Sequence, residues 1–246
     1  MRPEAFAIVN WAKVTSSHQC GRDRLYAGCV KIAVLASGGG TILDAMVKEG
    51  IEISLVLVDR PCGAEDLAIG HQIPLSRCYR ADFSDGFDRV GYSAWVAQEL
   101  VESGIELIAM AGYGTVLESP IHEAFPGRIL NTHPSLLPAF AGWHAVREAL
   151  AFGVRVTGCT VHLATLAVDA GPILAQEAVR VEIDDTEDSL HERIKRVERV
   201  LYPATLWQFS QFLADGARGD FFDFQRRFLA KNSPSPASPS DTRREL

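Results

Sequence analysis

The stretch "KIAVLASGGGTILDAM", Lys31 to Met46, decides the fold. Ile32 to Ala36 form an unbroken apolar run, the length of a buried strand. Gly38, Gly39 and Gly40 break it, and Ile42, Leu43, Met46 and Val47 then share one face at helical spacing. The same grammar repeats outward. "ISLVLVD" (Ile53–Asp59) reads as a second apolar strand, and "AEDLAIGHQI" as a short helix. A longer helix is expected from Phe87 to Ser103, with Val90, Ala94, Ala97 and Val101 as its apolar face. Leu107–Gly112 and Arg128–Asn131 are again strands. Apolar strands alternating with helices imply a parallel sheet covered on both faces.

After "NTHPSLLP" the pattern changes. "HAVREALAFG" reads as a helix ending at Gly153, and "VRVTGCTVHLAT" and "GPILAQEAVRV" as adjacent strands joined by the turn "LAVDAG", an antiparallel pair. Thr186 then caps a long helix with Glu187 and Asp188 in its first turn. Its apolar stripe is Leu190, Ile194, Val197 and Leu201, and Pro203 is expected to kink or interrupt it. The expected fold is α/β, a Rossmann-like, mostly parallel sheet with C-terminal antiparallel strands and a long helix. One domain is expected over residues 31–215, between an N-terminal extension (1–30) and a C-terminal extension (216–246) whose Ser/Pro-rich end is disordered from about residue 231.

Composition narrows the function. The 246 residues are 47% apolar, ample for a sizeable core, and a net charge of −7 argues against a nucleic-acid-binding surface. No apolar run approaches the roughly 18–20 residues that span a bilayer. "MRPEAFAIVNWAK" makes a poor secretory signal. The five cysteines are odd in number and form no CxxC pair, as expected of reduced thiols in the cytoplasm.

Three places suggest chemistry. A strand, glycine loop and helix N-terminus present backbone N–H groups suited to a phosphate. Asp59, 19 residues past Gly40, would suit the ribose of a dinucleotide, yet the third glycine of that fingerprint is Leu43 and no Walker lysine is present. A monophosphate fits better, and a structural tight turn stays open. In "ILNTHPSLLPAFAGWH" (129–144), Asn131 and His133 lie two residues apart, on one side of a strand end. An imidazole beside a carboxamide suggests a proton shuttle next to an oxyanion donor; a polar strand end is the plainer reading. Asp169 in "LAVDAGPI" is either ordinary turn chemistry or a carboxylate that orients the imidazole. Spacing alone leaves that open.

"NTHPSLLPAF", "GWHAVREAL", "VTGCTVHLAT" and "VDAGPILAQEAV", in this order, resemble the folate-dependent formyltransferases, and among them the phosphoribosylglycinamide formyltransferases, from about Lys31 to about Gln208. The resemblance implies transfer of a formyl group from 10-formyltetrahydrofolate, as co-substrate and without a metal, to the amine of glycinamide ribonucleotide in purine synthesis. Asn131, His133 and Asp169 match the catalytic trio, with His162 in support. Gly38, Gly39, Gly40, Thr41 and Ile42 match the phosphate loop, and Arg89 and Glu198 the contacts to the phosphate and the glycinamide end. Tyr113, Gly114, Thr115, Val116 and Leu117, with Ile129 and with Thr165, Leu166, Ala167 and Val168, match the folate slot.

The chain departs from the commonest pattern. Gly40-Thr41-Ile42 stands where many members have Gly-Ser-Asn, so one amide contact is missing. Tyr113-Gly114-Thr115-Val116-Leu117 stands for Phe-Met-Arg-Ile-Leu, which removes packing and a cation from the folate side. Among alternatives, an amino-sugar-nucleotide formyltransferase keeps the same core with another acceptor. A formyltetrahydrofolate hydrolase would use water and an N-terminal regulatory domain, for which 30 residues are too few. A methionyl-tRNA formyltransferase would need a second domain and a basic surface. A folate- or nucleotide-binding module without turnover would not need the trio. The expected partners are small molecules, neither nucleic acid nor membrane, and the expected state is a monomer or homodimer.

Overall fold

The computed structural model describes residues 30–84 and 86–215. The expected extensions, including the Ser/Pro-rich end, fall outside the described residues. The strands are β1 (Ile32–Ala36), β2 (Ile53–Val58), β3 (Leu75–Arg77), β4 (Leu107–Met110), β5 (Ile129–His133), β6 (Val156–Leu163) and β7 (Ile173–Arg180). The helices are α1 (Thr41–Lys48), α2 (Gly63–Gly70), α3 (Arg89–Glu102), α4 (Ser119–Ala124), α5 (Ala145–Phe152) and α6 (Glu187–Ala214). The seven strands form one sheet in the order β3-β2-β1-β4-β5-β6-β7. β1 to β5 are parallel, and β6 and β7 add on antiparallel. This is the expected α/β architecture.

The strand order reverses between β1 and β4. Connections from β1 lead away to β2 and β3, those from β4 to β5, so the loops after β1 and β4 part and leave a crevice at their carboxyl ends. Gly40 shapes the β1 side. Its φ is +75°, and a Cβ there would sit 2.6 Å from Leu67 Cδ1 and 3.0 Å from Ala64 Cα, so only glycine lets α2 pack against this turn.

Two helices differ from expectation. α3 starts at Arg89, where the Asp88 side chain accepts from Gly91 N, and it buries Tyr92, Ser93, Val96, Ala97 and Leu100. Of the expected face only Ala97 points inward; Val90 and Val101 are exposed. The segment carries two apolar series, and the buried one is disguised by Ser93, whose hydroxyl accepts from Glu118 N at 2.9 Å. α6 runs through Pro203 without interruption. The lost hydrogen bond and ring clash cost about 3 kcal/mol. The buried side chains of Leu201, Tyr202, Leu206 and Phe209 each return roughly 1.5–3 kcal/mol. Tyr202 also donates to Leu130 O at 2.9 Å, tying the helix to β5. The Thr186 cap forms as expected, with Ser189 returning the hydrogen bond. β5 reaches two residues past the expected strand, so His133 lies in the sheet itself.

Candidate active site

A cavity of about 610 Å³ opens at the carboxyl ends of β1, β4 and β5. Asn131 and His133, two apart on β5, both reach it, as strand alternation requires. The antiparallel register sets His162 of β6 opposite Asn131. The turn before β7 brings Asp169 between the two histidines. Asp169 Oδ2 lies 3.3 Å from His133 Nδ1, and Oδ1 lies 3.6 Å from His162 Nε2. Gly142 N donates to Oδ2 at 2.8 Å. The pair that spacing alone left apart, His133 and Asp169, is in contact.

Proton positions follow from the partners. His162 Nδ1 faces Leu163 O at 3.0 Å, so it donates; Nε2 is then free to accept from Asn131 Nδ2 at 3.2 Å. One N–H of the Asn131 carboxamide is thereby anchored, and the other is left for a ligand. His133 differs, because Nδ1 faces the Asp169 carboxylate and Nε2 faces Phe140 O at 2.7 Å. Both oxygens only accept, so both contacts are hydrogen bonds only when the ring carries two protons. Burial alone would raise the pKa of Asp169. The two neighbouring imidazoles and the hydrogen bond from Gly142 N outweigh it and hold the carboxyl below its ordinary range. It is therefore an anion at neutral pH. Phe140 and Asp169 both have positive φ, 53° and 55°. Such backbone costs about 1–3 kcal/mol per residue and persists where the surroundings over-determine it.

At one end of the cavity lie Gly38–Ile42. No side chain caps α1, so its first amides are free to meet an anion. From α6, His191, Lys195 and Glu198 reach the cavity at helical spacing. Burial and the Lys195 charge push His191 below its ordinary value. Burial pushes Glu198 up to about 6, only partly offset by a hydrogen bond with Thr132. The other end is mostly apolar, walled by Met110 to Leu117, His122, Trp143, Ala164, Thr165 and Val168.

Of the residues singled out in the sequence, the trio, His162, Gly38–Ile42, Tyr113–Leu117, Thr165, Val168 and Glu198 are on these walls. Arg89, Ile129, Leu166 and Ala167 are not. Arg89 opens α3. The Ile129 side chain is buried in the core, while its carbonyl accepts from Ala164 N at 2.7 Å and so holds the wall at Ala164. Leu166 and Ala167 are exposed in the turn. Sequence reasoning missed His191 and Lys195, although their i, i+4, i+7 relation to Glu198 was a usable signal. It also missed His122 and Trp143, which no local pattern marks.

Residues 30–206 match the family described as Formyl transferase. The chain is 41% identical over 183 residues to phosphoribosylglycinamide formyltransferase of Mycobacterium tuberculosis, covering 72% of this chain and 83% of that protein. It is 39% identical over 208 residues to the trifunctional purine biosynthetic protein adenosine-3 of Gallus gallus; 82% of this chain matches, spanning 20% of that much longer protein. Among solved structures, glycinamide ribonucleotide transformylase 1 from Symbiobacterium toebii superposes with a TM-score of 0.70 at 38% identity, covering 77% of this chain and 92% of that one.

Proposed function

This chain belongs to the formyl transferase family, and from that premise we propose that it transfers the formyl group of 10-formyltetrahydrofolate to the amine of glycinamide ribonucleotide. The observation that carries this reading is the meeting of Asn131, His133 and Asp169 in one cavity that runs from an uncapped glycine turn to an apolar slot. The turn at Gly38–Ile42 takes the phosphate, with Lys195 supplying a cation from α6, and Glu198 accepts from the N–H groups of the glycinamide end. The slot along Tyr113–Leu117, Thr165 and Val168 takes the folate ring.

The amine attacks the formyl carbon, and its carbonyl oxygen becomes an oxyanion. The free N–H of Asn131 and the Nε2 proton of His133 stabilise that charge as it forms. Asp169, held as an anion, keeps the protonated ring oriented and balanced. Collapse breaks the bond from carbon to the folate nitrogen; His133 gives its Nε2 proton to that nitrogen, which leaves as tetrahydrofolate, and takes the amine's proton in its place. The partners we propose are these two small molecules, with neither nucleic acid nor membrane, for a cytoplasmic monomer or homodimer. The net charge of −7 supports the absence of a nucleic-acid partner, and among the described residues no helix is long and apolar enough to cross a membrane.

The test is tetrahydrofolate formation from 10-formyltetrahydrofolate with glycinamide ribonucleotide, with amino sugar nucleotides, or with no amine. Turnover with glycinamide ribonucleotide alone is expected. Turnover without amine would make the protein a hydrolase, and turnover only with an amino sugar would replace the acceptor. The pH profile adds a second check. On protonation Glu198 loses its charge and turns one acceptor oxygen into a donor, so kcat/KM for the amine should fall as pH drops through about 6, by about tenfold per unit below it. Glu198→Gln should lower kcat/KM on the plateau and remove that limb; an unchanged limb would refute the assignment.

A further inference from the structure

Asp59 is the residue that a ribose-binding reading singles out, and the structure gives it another task. It follows β2, is fully buried, and does not line the cavity. Arg60 grips its carboxylate from one side, Nε to Oδ1 and Nη2 to Oδ2, both at 3.0 Å. From the other side the Thr115 hydroxyl donates to Oδ2 at 2.6 Å. Thr115 Oγ1 in turn accepts from Arg80 Nη1 at 3.2 Å. Burial would raise the pKa of Asp59, but hydrogen bonds from Arg60, Thr115 and Ser37 hold it low. A buried anion thus sits directly behind the wall of the cavity.

That wall is the loop after β4. Gly112 O accepts from Ser37 N at 3.2 Å, and Gly114 N donates to Ser37 Oγ at 2.7 Å. Ser37 follows β1, so the loop is stitched to β1 at Gly112 and Gly114 and to β2 at Thr115. Gly114 fits the stitch: a Cβ there would lie 3.3 Å from Arg60 Nη2 and 3.5 Å from Ser37 Oγ. Arg60 and Arg80 are themselves steadied by the Phe83 ring, with guanidinium carbons 4.7 and 4.5 Å from its centroid. The backbone groups of 113–117 that face the cavity are therefore set by a side chain pointing away from it.

We propose that Asp59 and Thr115 are positioning residues for the formyl donor: their hydrogen bond sets the spacing of the Tyr113–Leu117 wall and thereby the affinity for the folate ring, without touching the reacting atoms. This rests on the reading of that slot as the donor site. A slot held to within about 0.5 Å binds a rigid bicycle well, and one released from its support does not. Thr115 itself bonds Asp59 and Arg80 and neither the trio nor Gly38–Ile42, so donor binding is affected most.

The experiment compares Thr115→Val, which keeps the shape and loses the hydroxyl, with Thr115→Ser, which keeps the hydroxyl. Tetrahydrofolate binding is measured by calorimetry, and KM for both substrates and kcat by turnover. Thr115→Val should weaken tetrahydrofolate binding and raise the donor KM by roughly tenfold, the effect of losing one hydrogen bond to a charged group. The donor KM should rise more than the amine KM falls or rises and more than kcat changes, and Thr115→Ser should recover most of the tetrahydrofolate affinity that Thr115→Val loses. Thr115→Ala, which adds no methyl beside the carboxylate, must show the same split if the Val variant does not fold. An unchanged donor KM, or a common loss across kcat and both KM values, would overturn the proposal. Failure of the parent protein to bind tetrahydrofolate would overturn the donor reading itself, and is seen before any variant is made.

Discussion

Replacing His133 by alanine should lower kcat/KM for formyl transfer by about 10³-fold, close to 4 kcal/mol of transition-state stabilisation. The ring joins the cavity to the Asp169 carboxylate through its two nitrogens. Its Nδ1 is 3.3 Å from that carboxylate, and its Nε2 proton is held by Phe140 O until the oxyanion claims it. Alanine leaves a cavity in a buried site and an Asp169 still bound to Gly142 N and close to His162. The fold should therefore survive with a melting temperature lowered by several degrees, at about 2–4 °C per kcal/mol for a domain of this size. Single-turnover transfer and a thermal melt separate the two effects. A rate within threefold of the parent protein would remove His133 from the mechanism.

Asp169→Asn should reduce kcat by about 10²–10³-fold while both KM values move little. The argument is one of satisfaction. Oδ2 takes the Gly142 N–H and faces His133 Nδ1, and Oδ1 faces His162 Nε2. With the amide oxygen kept at the Oδ2 position, the new NH₂ points at His162 Nε2, the atom already accepting from Asn131 Nδ2. It then competes with Asn131 for one lone pair, and the oxyanion donor loses its anchor. With the amide reversed, the NH₂ confronts both the Gly142 N–H and the proton on His133. Either way the negative charge beside His133 Nδ1 is gone. Steady-state kinetics with each substrate varied in turn measures the split; a kcat within threefold of the parent value would show that Asp169 only shapes the turn.

Much of this site was legible because its signals are local. Asn131 and His133 share a face through strand alternation, and the glycine turn announces itself between a strand and a helix. The thirteen-element order was not wholly legible: β3 and α4 are short, and their local sequence carries no strong period. The face of α3 was misread because hydrophobicity alone ranks Val90 above Ser93, whereas burial of Ser93 depends on Glu118 N arriving from another element. Pro203 was read as a breaker because local propensity counts its lost hydrogen bond and not the packing around it.

Asp59 shows the same division. Its distance from the glycine turn suits a ribose, and nothing near it in sequence says otherwise. Arg60 is its neighbour, but Ser37, Arg80 and Thr115 come from three other loops, and only their convergence turns it into a buried support. By itself, then, the chain determined the parallel sheet, the crevice-forming glycine turn and the pairing of Asn131 with His133, because strand and helix periods act over a few residues. The tertiary structure alone decided that Asp169 meets His133, that His162 orients Asn131, and that Asp59 faces Thr115. Those contacts depend on strand register and on loops brought together by burial of the core, and no spacing along the chain encodes the distance between two loops.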